Sequence, residues 1–477
     1  MSRRNHVATT ARVERSPGGA MSAGMVMLAT FATLLVLFAP ALNAQRVGDR
    51  VAASRDGSQG SGYTRQDAAT ESYEVGGVKV VHRHGMANDV VAANLYLLGG
   101  TRLTSAGRSG IEPMLLMASE RGTARYPREA VRLAMAAQGT SIVIDAESDW
   151  TMFGARATTG TFDSTFVVLA DRIMNPTLEE REVEQVRSQL LNAVRQRRDS
   201  PDALLEYLAD SVAYPGHHYA IPPSGTEESL AAITVEDLKN FQRDNMVSSR
   251  MLLVIVGNVE RADVERLITS TLGTLPKGDY SWTMPPPPPD IPSSMYVEAR
   301  PLPTNYILGY FNGPPASSSD YAALRIASAV LGGRLFHEVR VRRNLTYAID
   351  VPFVERSYAS GGLYVTTVSP DTVMAMMRIG IEELQTGRID PGGLAQLVQG
   401  FIVQYFMDNE TNADQADFLA RAQVYRGDWR SADRFVDELR AVTPGDIQRV
   451  ARGYMHDVRF AYIGDPRRIR EEMAAIF

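Results

Sequence analysis

The side chains that usually perform hydrolysis are few in this chain and poorly grouped for it. None of its 477 residues is a cysteine, which removes a thiol nucleophile, thiolate zinc ligands, disulfides and a lipid anchor on cysteine. That absence suits an oxidising compartment. Of seven histidines, His82 and His84 stand at i and i+2 of a strand-like run, where they would share one face and could begin a metal site. No third ligand accompanies them, and the expectation is a solvated edge. His337 is expected on a helix surface. There is no glycine-flanked serine of the nucleophile-elbow type, and the paired acids Glu179-Glu180 read as helix-start charges.

More informative is the text between Gly100 and Thr123. Gly100-Thr-Arg102, Gly107, Gly110-Ile111 and Arg121-Gly-Thr123 are spaced as in the segment around the inverted zinc motif, His-x-x-Glu-His, of the insulinase/pitrilysin peptidases, and the chain resembles that family. In the motif, histidines at i and i+4 lie on one helical face and grip one zinc, while the glutamate polarises the attacking water. Laid on this sequence, the resemblance puts Pro113 at the first histidine, Leu116 at the glutamate and Met117 at the second histidine. The family's third zinc ligand, a glutamate on a later helix, falls on Ala193 when Leu191 to Pro201 is aligned. Glu112 and Glu120 sit nearby without a histidine. The implied chain binds no zinc, because three ligands and the base are replaced by groups unable to hold a hard divalent ion.

A second stretch keeps its chemistry. Leu331-Gly-Gly-Arg-Leu-Phe-His-Glu-Val-Arg340, followed by Val-Arg-Arg-Asn-Leu-Thr-Tyr347, resembles the signature of the family's C-terminal half. The resemblance makes Arg340 and Tyr347 the functional pair, reaching across a cavity to a substrate held at zinc. Guanidinium and phenol donors can hold a peptide carbonyl and stabilise the oxyanion of a tetrahedral intermediate. Asn344 suits a left-handed helix end that turns Arg340's helix into Tyr347's strand. His217-His218-Tyr219 and Gly225-Thr-Glu-Glu228 match a family loop without a zinc ligand and are expected to be structural. Some bacterial members divide the enzyme between a zinc-bearing chain and a zinc-less chain that supplies the arginine and tyrosine. The resemblance therefore implies a noncatalytic subunit of a heterodimeric periplasmic zinc endopeptidase. Zinc is expected in a homologous partner, and unfolded peptides, adding a strand to that partner's sheet, are the expected substrates. The alternative is a peptide-binding or structural interaction protein of the same fold without a proteolytic role.

The elements that would position these residues are legible in the periodicity. Runs such as Val90 to Leu98 and Ser141 to Ala146 read as strands alternating with amphipathic helices. Thr177-Leu-Glu-Glu180 is a capping-box pattern opening a helix to Arg198, with Val183, Val186, Leu190, Ala193, Val194 and Arg197 on one face, so that Ala193 is expected to point inward. A duplication is also visible. Thr234-Val-Glu-Asp237 opens a helix reaching Met246, and Arg250 then leads a strand to Val256 closed by Gly257. Thr443-Pro-Gly-Asp446 opens another reaching Met455, and Arg459 leads a strand to Ile463 closed by Gly464-Asp465. The threonines are candidate N-caps, and Pro444 takes the first helical position, where a missing N–H costs nothing. The fold expected is α+β, two homologous halves, each a mostly antiparallel sheet covered by helices.

Composition sets the outer bounds. With 44% hydrophobic and 22% charged residues, the chain can build about two or three domains with real cores. A net charge of -6 gives no basic face for nucleic acid. Arg3, Arg4, Arg12 and Arg15, an apolar run from Met25 to Phe38 and small residues to Ala44 read as an export signal over 1–44, too short for a comfortable membrane span. A Gly/Ser/Arg/Asp-rich tether is expected over 45–70, with order from near Tyr73. A peptidase-like domain is expected over 71–280, a stiff proline linker over 281–292 around Pro285 to Asp290, and a second peptidase-like domain over 293–477.

Overall fold

The computed structural model describes residues 69–477. The expected export signal and all but the last two residues of the expected tether lie outside them. Strand formation starts at Thr70, ahead of Tyr73, because Thr70 already pairs with Arg83.

Six strands form the first sheet: β1 (Thr70–Val75), β2 (Val78–His84), β3 (Val90–Leu98), β4 (Ser141–Ala146), β5 (Trp150–Thr158) and β6 (Met251–Gly257). Their order is β1-β2-β6-β3-β5-β4. Only β2 and β6 run parallel. The second sheet contains β7 (Ser294–Ala299), β8 (Asn305–Pro315), β9 (Thr346–Asp350), β10 (Phe353–Val354), β11 (Tyr358–Thr367) and β12 (Arg459–Gly464). Its order is β10-β11-β8-β12-β7, with β9 following β10 along the same edge of β11. Again one pair, β12 with β7, is parallel. Thus β2, β3, β5 and β6 recur as β7, β8, β11 and β12, and edge strand β4 recurs as β9. The fold is α+β with two homologous halves.

Helices α1 (Ile111–Ala118), α2 (Ala130–Gln138), α3 (Phe162–Met174), α4 (Glu180–Asp199), α5 (Pro201–Ala213), α6 (Glu227–Ala232), α7 (Val235–Asn245) and α8 (Arg261–Ser270) belong to the first half. The second half contributes α9 (Asp320–Leu335), α10 (Pro370–Thr386), α11 (Pro391–Asp408), α12 (Asn412–Arg426), α13 (Ser431–Ala441) and α14 (Pro444–Tyr454). The duplicated Thr-x-x-Asp runs form reciprocal capping boxes at α7 and α14, with each threonine hydroxyl accepting from the aspartate N–H and each carboxylate accepting from the threonine N–H. Both helices end before a methionine and deliver a central strand, β6 or β12.

Each half also covers the other's sheet. α5 packs on β8 and β12 through Leu204, Leu205 and Ala209, against Leu308, Tyr310 and Ile463. α12 packs on β3 and β6 through Ala416, Leu419 and Ala420, joining a core that contains Tyr96, Trp150 and Val254. Polar ties fix both placements. Arg356 holds Asp210 of α5 through two hydrogen bonds of 3.0 and 2.7 Å, and Trp150 Nε1 donates to the Tyr425 hydroxyl of α12 at 2.9 Å. The chain between the halves is fastened as well. Pro285 and Pro288 are buried three residues apart, the period of an extended proline helix. Pro286 O lies 3.1 Å from His217 Nε2, and Pro289 O accepts from Asn312 and Arg459.

Two sequence expectations fail here. Thr177 does not cap α4. Its hydroxyl donates to Gly122 O at 3.1 Å, Leu178 takes a left-handed φ of 49°, and α4 begins only at Glu180 without a side-chain cap. Nor is His82 on a solvated edge. β2 lies inside β1, so His82 is 1% exposed, neither ring nitrogen has a hydrogen-bond partner, and burial lowers its pKa.

Candidate functional site

α1 begins where Gly110 turns left-handed at φ 86°; a Cβ there would lie 2.8 Å from Leu230 and 3.0 Å from Gly225. Only glycine fits that junction. Pro113 and Met117 lie one helical turn apart and are both partly exposed, while Leu116 points into the core at 1% exposure. α4 packs against α1, but Ala193 is exposed, against expectation. The buried stripe of α4 runs through Val183, Val186 and Val194, and Ala193 sits on its flank.

The supports of α1 persist although the ligand positions are empty of ligands. Beside Pro113, the buried Glu112 carboxylate lies 2.7 Å from Arg250 Nη1, a close ion pair rather than an aligned hydrogen bond. Arg250 also donates to Leu98 O at 2.5 Å, tying helix and sheet together. At the other end, Arg172 from α3 donates to Leu116 O at 3.0 Å and to Ser119 at 3.1 Å. Burial pulls this guanidinium down to about 10, while a cation at a helix C-terminus is electrostatically well placed. Proline, leucine, methionine and alanine do not make a donor set for zinc. Among the described residues no three His, Cys, Asp or Glu side chains are grouped to hold a metal ion elsewhere.

A narrow crevice beside α1 is lined by Thr104, Ile111, Glu112, Pro113, Glu147 and Thr151. Burial pushes the Glu147 carboxyl up to about 7, and the neighbouring Asp145 adds to the shift. Sequence reasoning missed this group, since nothing in its local text differs from a strand-end acid. The His217-His218-Tyr219 loop acts as a joint between the halves. His218 Nε2 lies 3.0 Å from Asp149 Oδ1, and Asp149 Oδ2 accepts from the Ser357 N–H and hydroxyl at 3.0 and 2.8 Å. Burial alone would raise Asp149, yet these hydrogen bonds hold its pKa below the usual value.

In the second half α9 runs into a turn of π-helix, Phe336–Arg342, that carries Arg340; such turns favour functional sites. His337 is exposed there. Asn344 adopts φ 49°, its N–H donates to Arg340 O, and Leu345 N–H donates to Val339 O. This left-handed residue ends the helix and starts β9, which brings Tyr347 back onto Arg340. The guanidinium carbon lies 5.0 Å from the Tyr347 ring centroid and 4.9 Å from that of Phe336. Tyr347 is 83% exposed. Neighbouring Arg342 and Arg343 both pair with Glu338, at 2.7 and 2.9 Å. Arg340 has no hydrogen-bond or ion-pair partner among the described residues, and the Tyr347 hydroxyl has none either. Five N–H donors and one O–H are thus available to a ligand. No hydrogen bond, ion pair or ring contact joins this pair to Pro113, Leu116, Met117 or Ala193.

Comparison with known proteins gives two adjacent family matches. The model "Insulinase (Peptidase family M16)" matches residues 79–227, and "Peptidase M16 inactive domain" matches residues 232–401. The mitochondrial-processing peptidase subunit beta of Blastocladiella emersonii is 20% identical over 422 residues, covering 83% of this chain and 90% of its own. A protease from Helicobacter pylori superposes with a TM-score of 0.77 at 18% identity, over 83% of this chain and 99% of its own. A peptidase M16 inactive domain from Pseudomonas fluorescens also gives 0.77 and 18%, over 83% and 98%. These two structures share the fold.

Proposed function

The chain belongs to the insulinase (M16) family of peptidases, and from that premise we propose that it is the noncatalytic subunit of a heterodimeric zinc endopeptidase. Its own contribution is a pair of donors. Arg340 holds a peptide carbonyl through its planar guanidinium, and the Tyr347 hydroxyl donates to the oxyanion that forms when the scissile carbonyl is attacked. The activated water belongs to a zinc-bearing homologue, because Pro113, Leu116, Met117 and Ala193 offer neither ligand nor base. Export through the N-terminal 1–44 segment puts the complex in the periplasm, where unfolded peptides are its substrates.

The observation that carries this reading is the unpaired state of Arg340 and Tyr347. Arg342 and Arg343 are both paired with Glu338, whereas Arg340 keeps its N–H donors free beside an exposed tyrosine, an arrangement with no packing rationale. A purely structural interaction protein needs neither donor.

The test is to purify the chain alone and together with a homologue that carries an intact His-x-x-Glu-His motif, beginning with any encoded by the adjacent reading frame. Bound zinc and cleavage of a quenched peptide are measured for each. The expected result is zinc and turnover only in the complex, with full turnover requiring both chains. Stoichiometric zinc in the isolated chain, or a partner equally active without it, overturns the proposal.

A further inference from the structure

Tyr347 poses a physical problem for the role just given to it. A residue that donates to a transition state must be held within a fraction of an ångström, yet Tyr347 is 83% exposed and makes no side-chain hydrogen bond. Core packing does not hold it. Its one ring contact is the Arg340 guanidinium at 5.0 Å.

Arg340 has a second aromatic contact. Phe336, one helical turn earlier, presents its ring 4.9 Å from the same guanidinium carbon. Unlike Tyr347, Phe336 is partly buried and packs against the main core of the second half. A guanidinium held over two aromatic rings loses rotational freedom while its N–H donors stay unpaired, because the attraction uses the ring faces and not the N–H groups. The order is therefore core, Phe336, Arg340, Tyr347, each member fixed by the one before.

We propose that Phe336 is a positioning residue: with Tyr347 it forms an aromatic clamp on Arg340, and through Arg340 it transmits the rigidity of the core to the Tyr347 hydroxyl. This rests on the reading of Arg340 and Tyr347 as substrate contacts. It assigns Tyr347 two separable tasks, its ring in the clamp and its hydroxyl at the substrate. It also makes arginine irreplaceable by lysine, whose compact ammonium has no planar face to set against two rings at once.

The clamp is read first on the isolated chain, where no peptidase partner is needed. Fluorotyrosine placed at position 347 should give a 19F resonance shifted by the guanidinium above the ring. Phe336→Leu, which keeps an apolar side chain on the core, should move that resonance most of the way towards its position in Arg340→Ala, while Phe336→Tyr should leave it in place. Kinetics follow in the complex with the zinc-bearing homologue. Phe336→Leu should raise KM by about two- to five-fold, the scale of one exposed cation–π contact, and should also lower kcat, whereas Phe336→Tyr restores both. A resonance at position 347 indifferent to Phe336→Leu overturns the clamp. A resonance that moves with no change in kcat or KM overturns the positioning role. Tyr347→Phe keeps the clamp and removes only the hydroxyl, so unchanged turnover in that variant overturns the reading of the site instead.

Discussion

The two halves share strand order, capping boxes and central strands, yet their equivalent places have gone in opposite directions. In the first half α1, which the family resemblance aligns with a zinc-ligand helix, is firmly supported but offers no ligand. Gly110 still turns the chain, and Arg250 and Arg172 still anchor α1 at both ends, but the outward positions are Pro113 and Met117. In the second half the turn from α9 into β9 presents free donors on an exposed surface. The arginines that precede the duplicated central strands show the same divergence. Arg250 neutralises a buried carboxylate, whereas Arg459 bonds neutral groups, the carbonyls of Pro289 and Ile291 and the Asn312 side chain. Scaffold and chemistry are thus separable within one duplicated fold.

The sharpest way to test that contrast is to remove one group from each half in the assembled enzyme. Tyr347→Phe should lower kcat by about ten- to a thousand-fold, as for loss of one oxyanion donor. Met117→Ala, at the position of a lost ligand, should leave turnover within about two-fold and the bound zinc unchanged. Comparable losses in both would abolish the distinction.

Stability should divide the paired arginines next. Arg250→Met strands the buried Glu112 charge and should cost about 3–5 kcal/mol, read from the urea midpoint of the chain. Arg459→Met loses hydrogen bonds to neutral partners, at about 1–3 kcal/mol. Equal costs would mean that Glu112 is not charged in the fold.

Within the first half, the positions that the resemblance aligns with the family's base glutamate and third ligand should themselves respond unequally. Leu116→Glu introduces a carboxyl into a site only 1% exposed and should cost about 2–4 kcal/mol. Ala193→Glu is on the surface and should stay within about 0.5 kcal/mol. The same denaturation series reads both, and a tolerant Leu116→Glu would show that the core around Leu116 admits a carboxyl.

The smallest effect concerns Glu147. Its folded carboxyl keeps a proton up to about pH 7, against an ordinary value of 4.5. Folding therefore takes up a proton between those limits, and this group's contribution to stability falls as pH rises through the window. Glu147→Gln should flatten that part of the stability profile between about pH 4.5 and 7. An unchanged slope would assign it to other groups.

What the sequence reveals depends on how local the cause is. Both Thr-x-x-Asp boxes, the left-handed Asn344 and the strands at Val90 and Ser141 follow from neighbours a few residues away, and the same residues show them in the structure. Thr177 carries an equally good local pattern and fails, because Gly122, fifty-five positions earlier, offers its hydroxyl a better partner. His82 reads as an edge residue only until β1 is known to cover it. Ala193 is misjudged because a helical face broad enough to include it is wider than the stripe that α1 and its neighbours bury. At the site, the Arg340 and Tyr347 text is legible, but Phe336 as a second face of the clamp, and Glu147 as a raised acid, depend on contacts that periodicity cannot express.

The crossed helices have a consequence for the order in which the chain can become a protein. The sheet that starts at Thr70 cannot cover its second face until α12 has been made, some 340 residues later. During synthesis, that face of the first half, with Tyr96 and Trp150, stays open to whatever apolar surface it meets. Native burial of both is completed only when the far end of the chain arrives. The leading half thus stays an incomplete, aggregation-exposed intermediate for most of the time the chain takes to be made.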